Sequence, residues 1–249
     1  MRNIRCIAAG AALLLAAAAP AAAQKSDQPV TGYKPVAVAL PQPVADDSFD
    51  ALRKQVGEAA QRKDRAALAK LVVARGFFWQ RDNRNIVNKR KAGFEVLAAA
   101  LGLNNKEGAG WEILASYTED PTASPLPAHA GAWCAPAEPA YDRKALADLL
   151  AATNSDVTEW GYPVSAAIEV HATPQATAPV TDKLGLFFVR MMPETASAPP
   201  SWLRIATPNG KIGYVSVDSI APIGNDQICY VKDNGVWKIG GYVGGGEPQ

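Results

Sequence analysis

The hydrophobic pattern changes its period at about residue 162, and this change limits the folds open to the chain. Before that point, apolar residues recur at helical spacing. After it, short apolar runs are separated by turns rich in Gly, Pro, Asn and Asp. The strand candidates are SAAIEVHA, LGLFFVRM, WLRIAT, IGYVSV, QICYVK and VWKIGGYV. This order predicts an α+β chain, with a helical N-terminal domain followed by a small β-barrel or sandwich.

Helical signals precede the change of period. Asp46, Asp47 and Ser48 are capping residues ahead of an apolar helical face, and Asp64 caps a second short run. The segments AGFEVLAAALGL and YDRKALADLLAATN also carry an apolar side, whereas WEILASY fits a helical turn or a strand. The aromatic run at 77–79 is interpreted as core that the first two helices cover, with a ligand cleft as the alternative.

These patterns divide the chain into two halves. The predicted helical domain covers residues 46–161 and includes a connector, 118–140, that is rich in Pro and Ala. The predicted β-barrel covers residues 162–249. The Asn-Gly pairs at 209–210 and 234–235 predict hairpin turns, because both residue types tolerate a positive φ.

The N-terminus has the pattern of a secretory signal peptide. Arg2 and Arg5 precede an apolar run that is short for a membrane span, and an A-x-A cleavage site lies at 21–23. Residues 1–23 are therefore predicted to be removed, with an uncleaved anchor as the alternative. Residues 24–45 hold four prolines and are predicted to be a flexible linker. We expect a periplasmic or secreted protein with no integral membrane segment after cleavage.

The charges and the chemical motifs exclude several classes of function. The chain has 25 Lys and Arg against 24 Asp and Glu, so no basic face for nucleic acid is predicted. Its histidines, His129 and His171, do not form a cluster at metal-ligand spacing, and no dinucleotide fingerprint is present. We therefore expect no nucleic-acid partner, no metal site and no cofactor.

The cysteines allow two interpretations. Cys6 lies in the predicted leader, which leaves Cys134 and Cys229 as an even pair. In an oxidising compartment such a pair predicts a disulfide. The alternative is a catalytic Cys134 thiol activated by His129 or His171. Cys134 lies in a Pro/Ala-rich segment and not at a helix N-terminus that would lower a thiol pKa, which favours the disulfide.

Residues 162–245 carry an ordered set of short motifs. They are Pro174, Val180 and Leu184, then Trp202-Leu203-Arg204-Ile205, Asn209-Gly210-Lys211, Gly213-Tyr214-Val215 and the turn SVDSI. In this order the motifs resemble a bacterial SH3-like (SH3b) domain. The family has a strand, a Pro-containing loop, an apolar strand, a Trp-x-x-Val strand, a Gly hairpin and a Gly-Trp/Tyr-Val strand. The helical half is similar to the helical halves that precede such modules in exported bacterial proteins.

The sequence departs from the family pattern at three places. His171 and Thr173 stand where the family has Arg and Gly, and the insert MMPETASAPPS lengthens one connection. The resemblance implies an SH3-like β-barrel in which an aromatic groove can hold an extended peptide. The candidate groove residues are the aromatic side chains Trp202, Tyr214, Tyr230, Trp237 and Tyr242. Core packing is the alternative for each of them, and we expect at most two or three to be exposed.

The export signal, the resemblance and the missing catalytic motifs together predict a non-enzymatic binding protein. Its expected ligand is a peptide, a cell-wall component such as peptidoglycan, or a periplasmic protein partner. Because exported SH3b modules often accompany Cys/His peptidases, one alternative is a cell-wall hydrolase that uses Cys134 as its nucleophile. The other alternative is a purely structural scaffold.

Overall fold

The structure, a computed structural model, describes residues 31–81, 84–85, 91–193 and 199–244. The predicted signal peptide and the first residues of the predicted linker, 1–30, lie outside these ranges. The helices are α1 Asp47–Gln61, α2 Arg65–Leu71, α3 Gly93–Ala100, α4 Ala109–Glu119 and α5 Arg143–Thr153. The strands are β1 Val38–Ala39, β2 Phe78–Arg81, β3 Arg84–Asn85, β4 Ser124–Pro125, β5 Trp133–Ala135, β6 Ala140–Tyr141, β7 Trp160–Pro163, β8 Ile168–His171, β9 Val180–Leu184, β10 Val189–Met191, β11 Trp202–Ala206, β12 Ile212–Ser216, β13 Ile220–Pro222, β14 Gln227–Asp233 and β15 Val236–Val243.

The helix starts follow from side-chain caps. The Asp46 carboxylate accepts hydrogen bonds from the backbone N–H groups of Ser48 and Phe49, and Asp64 caps α2 in the same way. The ambiguous WEILASY segment lies within α4. The aromatic run at 77–79 is buried, as predicted for core. The described residues thus contain both helices and sheets, which confirms the general prediction of an α+β chain.

A six-stranded sheet combines strands from both halves of the chain. Its order is β3-β2-β15-β14-β5-β4, in which β15 and β2 run parallel and the other neighbours antiparallel. The final hairpin, β14–β15, therefore pairs with strands that precede residue 162. The segment predicted to be a helical domain contributes four strands to this sheet. Because these pairings join residues far apart in the sequence, local periodicity does not indicate them.

A seven-stranded antiparallel sheet is built from residues 160–222. Its order is β13-β7-β10-β11-β12-β8-β9. The Asn-Gly turn at 209–210 joins β11 to β12, and Gly210 has a φ of 77° that favours glycine. The second predicted hairpin, at 234–235, joins β14 to β15. Both hairpins are confirmed. The strand order is linear, and the described residues show no closed barrel of the kind that the sequence predicts.

Residues 31–44, predicted to belong to a flexible linker, instead run in an extended path along the folded chain. Tyr33, Val36 and Val38 are buried against a core that contains Trp160 and Phe188. The Tyr33 hydroxyl donates a hydrogen bond of 2.9 Å to the carbonyl of Ala206, and β1 pairs with β6. The prolines exclude a helix here but allow the extended backbone, and the apolar side chains between them supply the buried face.

Helices cover one face of the six-stranded sheet. The largest core contains Phe49, Leu97 and Leu114 from the helices, packed on Ile228 and Ile239 from the last hairpin. Cys134, Cys229 and Phe78 pack together on the opposite side. A separate core of Val170, Leu184, Val189, Ile205, Val215 and Ile220 lies within the seven-stranded sheet. No helix in the described ranges is long and apolar enough to span a membrane.

The Tyr230 hydroxyl is buried in the core without a hydrogen bond to any described residue. The Tyr230 side chain is fully buried edge-on against Phe49. Burial also raises the pKa of Tyr230, because the phenolate is poorly solvated there.

Replacing Tyr230 with Phe should therefore leave the free energy of unfolding unchanged or raise it by about 1 kcal/mol, since an unpaired buried hydroxyl is removed. Tyr33→Phe is the matched control, because the Tyr33 hydroxyl is bonded and its loss should cost about 1 kcal/mol. Urea unfolding of both variants measures the difference. A loss of 1 kcal/mol or more in Tyr230→Phe would show that its hydroxyl is paired.

Candidate functional site

The five predicted groove residues lie in two different places. Tyr230, Trp237 and Tyr242 belong to the core between the helices and the six-stranded sheet. Trp202 and Tyr214 lie on β11 and β12 of the seven-stranded sheet, where both are partly exposed. The structure therefore does not bring the five aromatic side chains together in one groove.

Two of the three core aromatics donate hydrogen bonds there, and Tyr230 packs its ring against Phe49. The Trp237 indole N–H donates 3.0 Å to the carboxylate of Asp46, the residue that caps α1. The Tyr242 hydroxyl donates 2.6 Å to Asp226. Near-continuous apolar runs in β14 and β15 are the sequence signal for strands covered on both faces, and this signal favours core over groove for all three residues.

The exposed face of the seven-stranded sheet carries the best candidate site. Val180, His171, Tyr214 and Arg204 lie directly opposite one another across β9, β8, β12 and β11. Directly opposed residues point to the same side of a sheet. Trp202 adjoins this line, with its ring edge-on to His171 at a centroid distance of 5.4 Å. We call these five residues the aromatic row.

Buried apolar side chains support the strands of the aromatic row, and a polar contact orients one of its members. Leu184, Ile205 and Val215 fill the buried side of the same strands. On β8, Nδ1 of His171 lies 3.0 Å from the carbonyl oxygen of Ala178. The Val180 side chain keeps 45% of its surface exposed. Three strand spacings make the row about 14 Å long, which matches about four residues of an extended peptide.

Sequence reasoning identified Trp202 and Tyr214 but missed His171, Val180 and Arg204 as their neighbours. The alternation of β12 shows that Tyr214 points away from the core, since Gly213 and Val215 are buried. However, β12 pairs with β8, which lies about 40 residues earlier in the chain, and the order of the strands is not visible in local patterns.

The two cysteines form a disulfide, as predicted. Cys134 on β5 lies directly opposite Cys229 on β14, and both side chains are buried. His129, one of the possible activating residues, stacks on the Phe78 ring at a centroid distance of 3.7 Å. His171 lies in the other sheet. The Cys134 sulfur is thus bonded to Cys229 and is not a free thiol, contrary to what the alternative of a catalytic nucleophile requires.

Metal binding and known relatives add no further site. Across the described ranges, no group of three or more His, Cys, Asp or Glu side chains is placed to hold a metal ion. The sequence matches no protein-family model and no curated protein.

Proposed function

We propose that this chain is an exported, non-enzymatic binding protein that holds an extended peptide-like ligand on the aromatic row. The observation that carries the proposal is the row itself. Trp202, His171 and Tyr214 are partly exposed on adjoining strands, and the Trp202 ring lies edge-on to His171. The few residues that carry most of the binding energy at protein interfaces are enriched in Trp, Tyr and Arg.

The proposal includes an SH3-like assignment for residues 160–222. The order of elements supports it: the hairpin β8–β9, the strands β10, β11 and β12, one 3-10 turn at Val217–Ser219, and β13. β9, β11, β12 and the 3-10 turn fall on the motifs that carry the SH3b resemblance. The face that bears Trp202 and Tyr214 also corresponds to the kind of aromatic surface on which SH3-like domains hold extended peptides.

The ligand class follows from the setting that the sequence predicts. An exported protein meets peptidoglycan, whose stem peptides are short and extended, as well as other envelope proteins. We therefore propose a cell-wall peptide as the first ligand to test and a periplasmic protein segment as the second. The scaffold alternative has no ligand, and the hydrolase alternative needs the Cys134 thiol that the disulfide occupies.

The test is retention on purified peptidoglycan sacculi at low salt. We expect the wild type to be retained and the double variant Trp202→Ala, Tyr214→Ala to bind at least about ten-fold more weakly, because aromatic truncation at a binding site typically costs more than 1 kcal/mol. Val236→Ala, at a side chain 60% exposed on the other sheet, is the matched control and should bind like the wild type. Equal retention of all three proteins would place any binding elsewhere, and no retention of the wild type would contradict the cell-wall ligand.

A further inference from the structure

Both Asn-Gly pairs of the chain, at 209–210 and 234–235, lie at hairpin turns, and this dipeptide carries a reaction of its own. The main-chain nitrogen of the glycine attacks the side-chain amide carbon of the asparagine and expels ammonia. Glycine has no Cβ to hinder this attack. The nitrogen must first lose its proton and then approach the amide, so the surroundings of each glycine N–H decide where the reaction occurs.

The turn at Asn209 is closed by hydrogen bonds. The Gly210 N–H donates 2.8 Å to the carbonyl oxygen of Thr207. From outside the hairpin, the Tyr33 N–H donates 2.9 Å to the carbonyl oxygen of Pro208, so the packed segment 31–44 also holds this turn. Attack on the Asn209 amide would have to break the Gly210 bond and rotate a backbone that is held on both sides.

The turn at Asn234 is open by comparison. Asn234 and Gly235 have φ values of 51° and 82° and form a two-residue turn between the paired Asp233 and Val236. All four residues are exposed, and no described residue accepts a hydrogen bond from the Gly235 N–H. A Cβ added at Gly235 would meet no atom within 4 Å, so solvent reaches the nitrogen freely.

The side-chain amide of Asn234 is also within reach of solvent. Its Nδ2 atom donates 3.0 Å to Oδ1 of Asp233, a contact between two exposed side chains. Exposed contacts of this kind exchange readily with water and hold a side chain weakly. Neither reacting group of this pair is therefore fixed by the core.

We propose that Asn234 is a site of spontaneous deamidation in the folded protein and that the closed turn protects Asn209. A base in solution takes the Gly235 N–H proton, and the nitrogen then forms a bond to Cγ of Asn234. The Cγ–Nδ2 bond breaks, and the amide nitrogen leaves as ammonia after taking up a proton from solvent. Water adds to one carbonyl carbon of the resulting succinimide and opens the ring, so the net change is the exchange of ammonia for water.

The modification changes the tip of the last hairpin. Either product places a new carboxylate next to Asp233, and isoaspartate also adds one carbon to the main chain of a two-residue turn. Its length no longer fits the turn that joins β14 to β15. This hairpin belongs to the six-stranded sheet and not to the aromatic row, so the proposal does not depend on the proposed function.

The test compares the two asparagines within one chain. The folded, oxidised wild type is incubated in mildly alkaline buffer, and peptide mapping by mass spectrometry follows each conversion. We expect Asn234 to convert at least about five-fold faster than Asn209, the rate equivalent of one hydrogen bond. In urea-unfolded protein both turns are lost, and the ratio should fall towards one. Equal rates in the folded protein, or the same ratio in the unfolded protein, would overturn the proposal.

Matched variants test the site itself. Asn234→Gly removes the reactive amide and tolerates the positive φ, and it should stop most of the conversion to the acidic form that ion-exchange chromatography separates. Asn209→Gly should convert like the wild type. In the acidic form of the wild type, the NMR amide signals of Asp233 and Val236 should shift. Conversion at the wild-type rate in Asn234→Gly, or shifts centred on the turn at 208–211, would contradict the site.

Discussion

Replacing Cys134 and Cys229 together by Ala should lower the free energy of unfolding by about 4–5 kcal/mol. The disulfide joins residues separated by 95 positions, so it removes much of the freedom of the unfolded chain. Both side chains are buried, and their replacement also removes packing against Phe78 and Ala132. Denaturant unfolding of the oxidised wild type and the double variant measures the effect.

Two controls separate the bridge from packing and from catalysis. The reduced wild type keeps both side chains and should lose most of the same stability, whereas a loss below about 1 kcal/mol would show that the bridge contributes little. Cys134→Ser alone should also be destabilised. Under the hydrolase hypothesis, the same variant would instead fold normally and lose turnover. Two alkylatable thiols in natively exported, folded protein would contradict the disulfide itself.

The triple variant Tyr33→Ala, Val36→Ala, Val38→Ala should lose roughly 5 kcal/mol of stability, because it removes three buried side chains. The Tyr33 ring contacts Trp160 edge-on at 4.9 Å, and its hydroxyl bonds the β11 backbone. The loss should therefore loosen the seven-stranded sheet together with the N-terminal segment. Thermal unfolding measures the loss of stability, and the NMR amide signals of β7 and β11 measure the loosening of the sheet.

The matched control changes exposed positions in the same segment: Lys34→Ala, Ala37→Ser, Ala39→Ser. All three side chains point to solvent, so this variant should unfold within about 0.5 kcal/mol of the wild type. If residues 31–44 were a flexible linker, the two triple variants would be equally stable. Equal stability is thus the result that would reject the packed segment.

Local chemistry made much of the fold predictable. The caps at Asp46 and Asp64 mark the starts of α1 and α2, and the Asn-Gly pairs mark two hairpins. These features depend on a few neighbouring residues. The pairing of Cys134 with Cys229 was also predictable, because few cysteines remain in the predicted mature chain.

Long-range pairing was not predictable in the same way. In the sequence, the last hairpin directly follows the strands of the seven-stranded sheet. In the fold, it pairs with β2 and β5 from the first half of the chain. The sequence therefore predicts a groove position for Tyr230, Trp237 and Tyr242, although all three belong to the helix-covered core. Likewise, His171 joins Tyr214 only through the pairing of β8 with β12. The aromatic row arises from such pairings between distant segments.

The most direct test of the aromatic row is to map where a ligand binds. Amide NMR spectra recorded during titration with soluble peptide fragments of purified sacculi give the shift of each residue. We predict that the largest shifts fall on His171, Val180, Trp202, Arg204 and Tyr214, and that they vanish in the Trp202→Ala, Tyr214→Ala variant. Shifts centred on the last hairpin around Trp237, or none at saturating fragment concentration, would contradict the account.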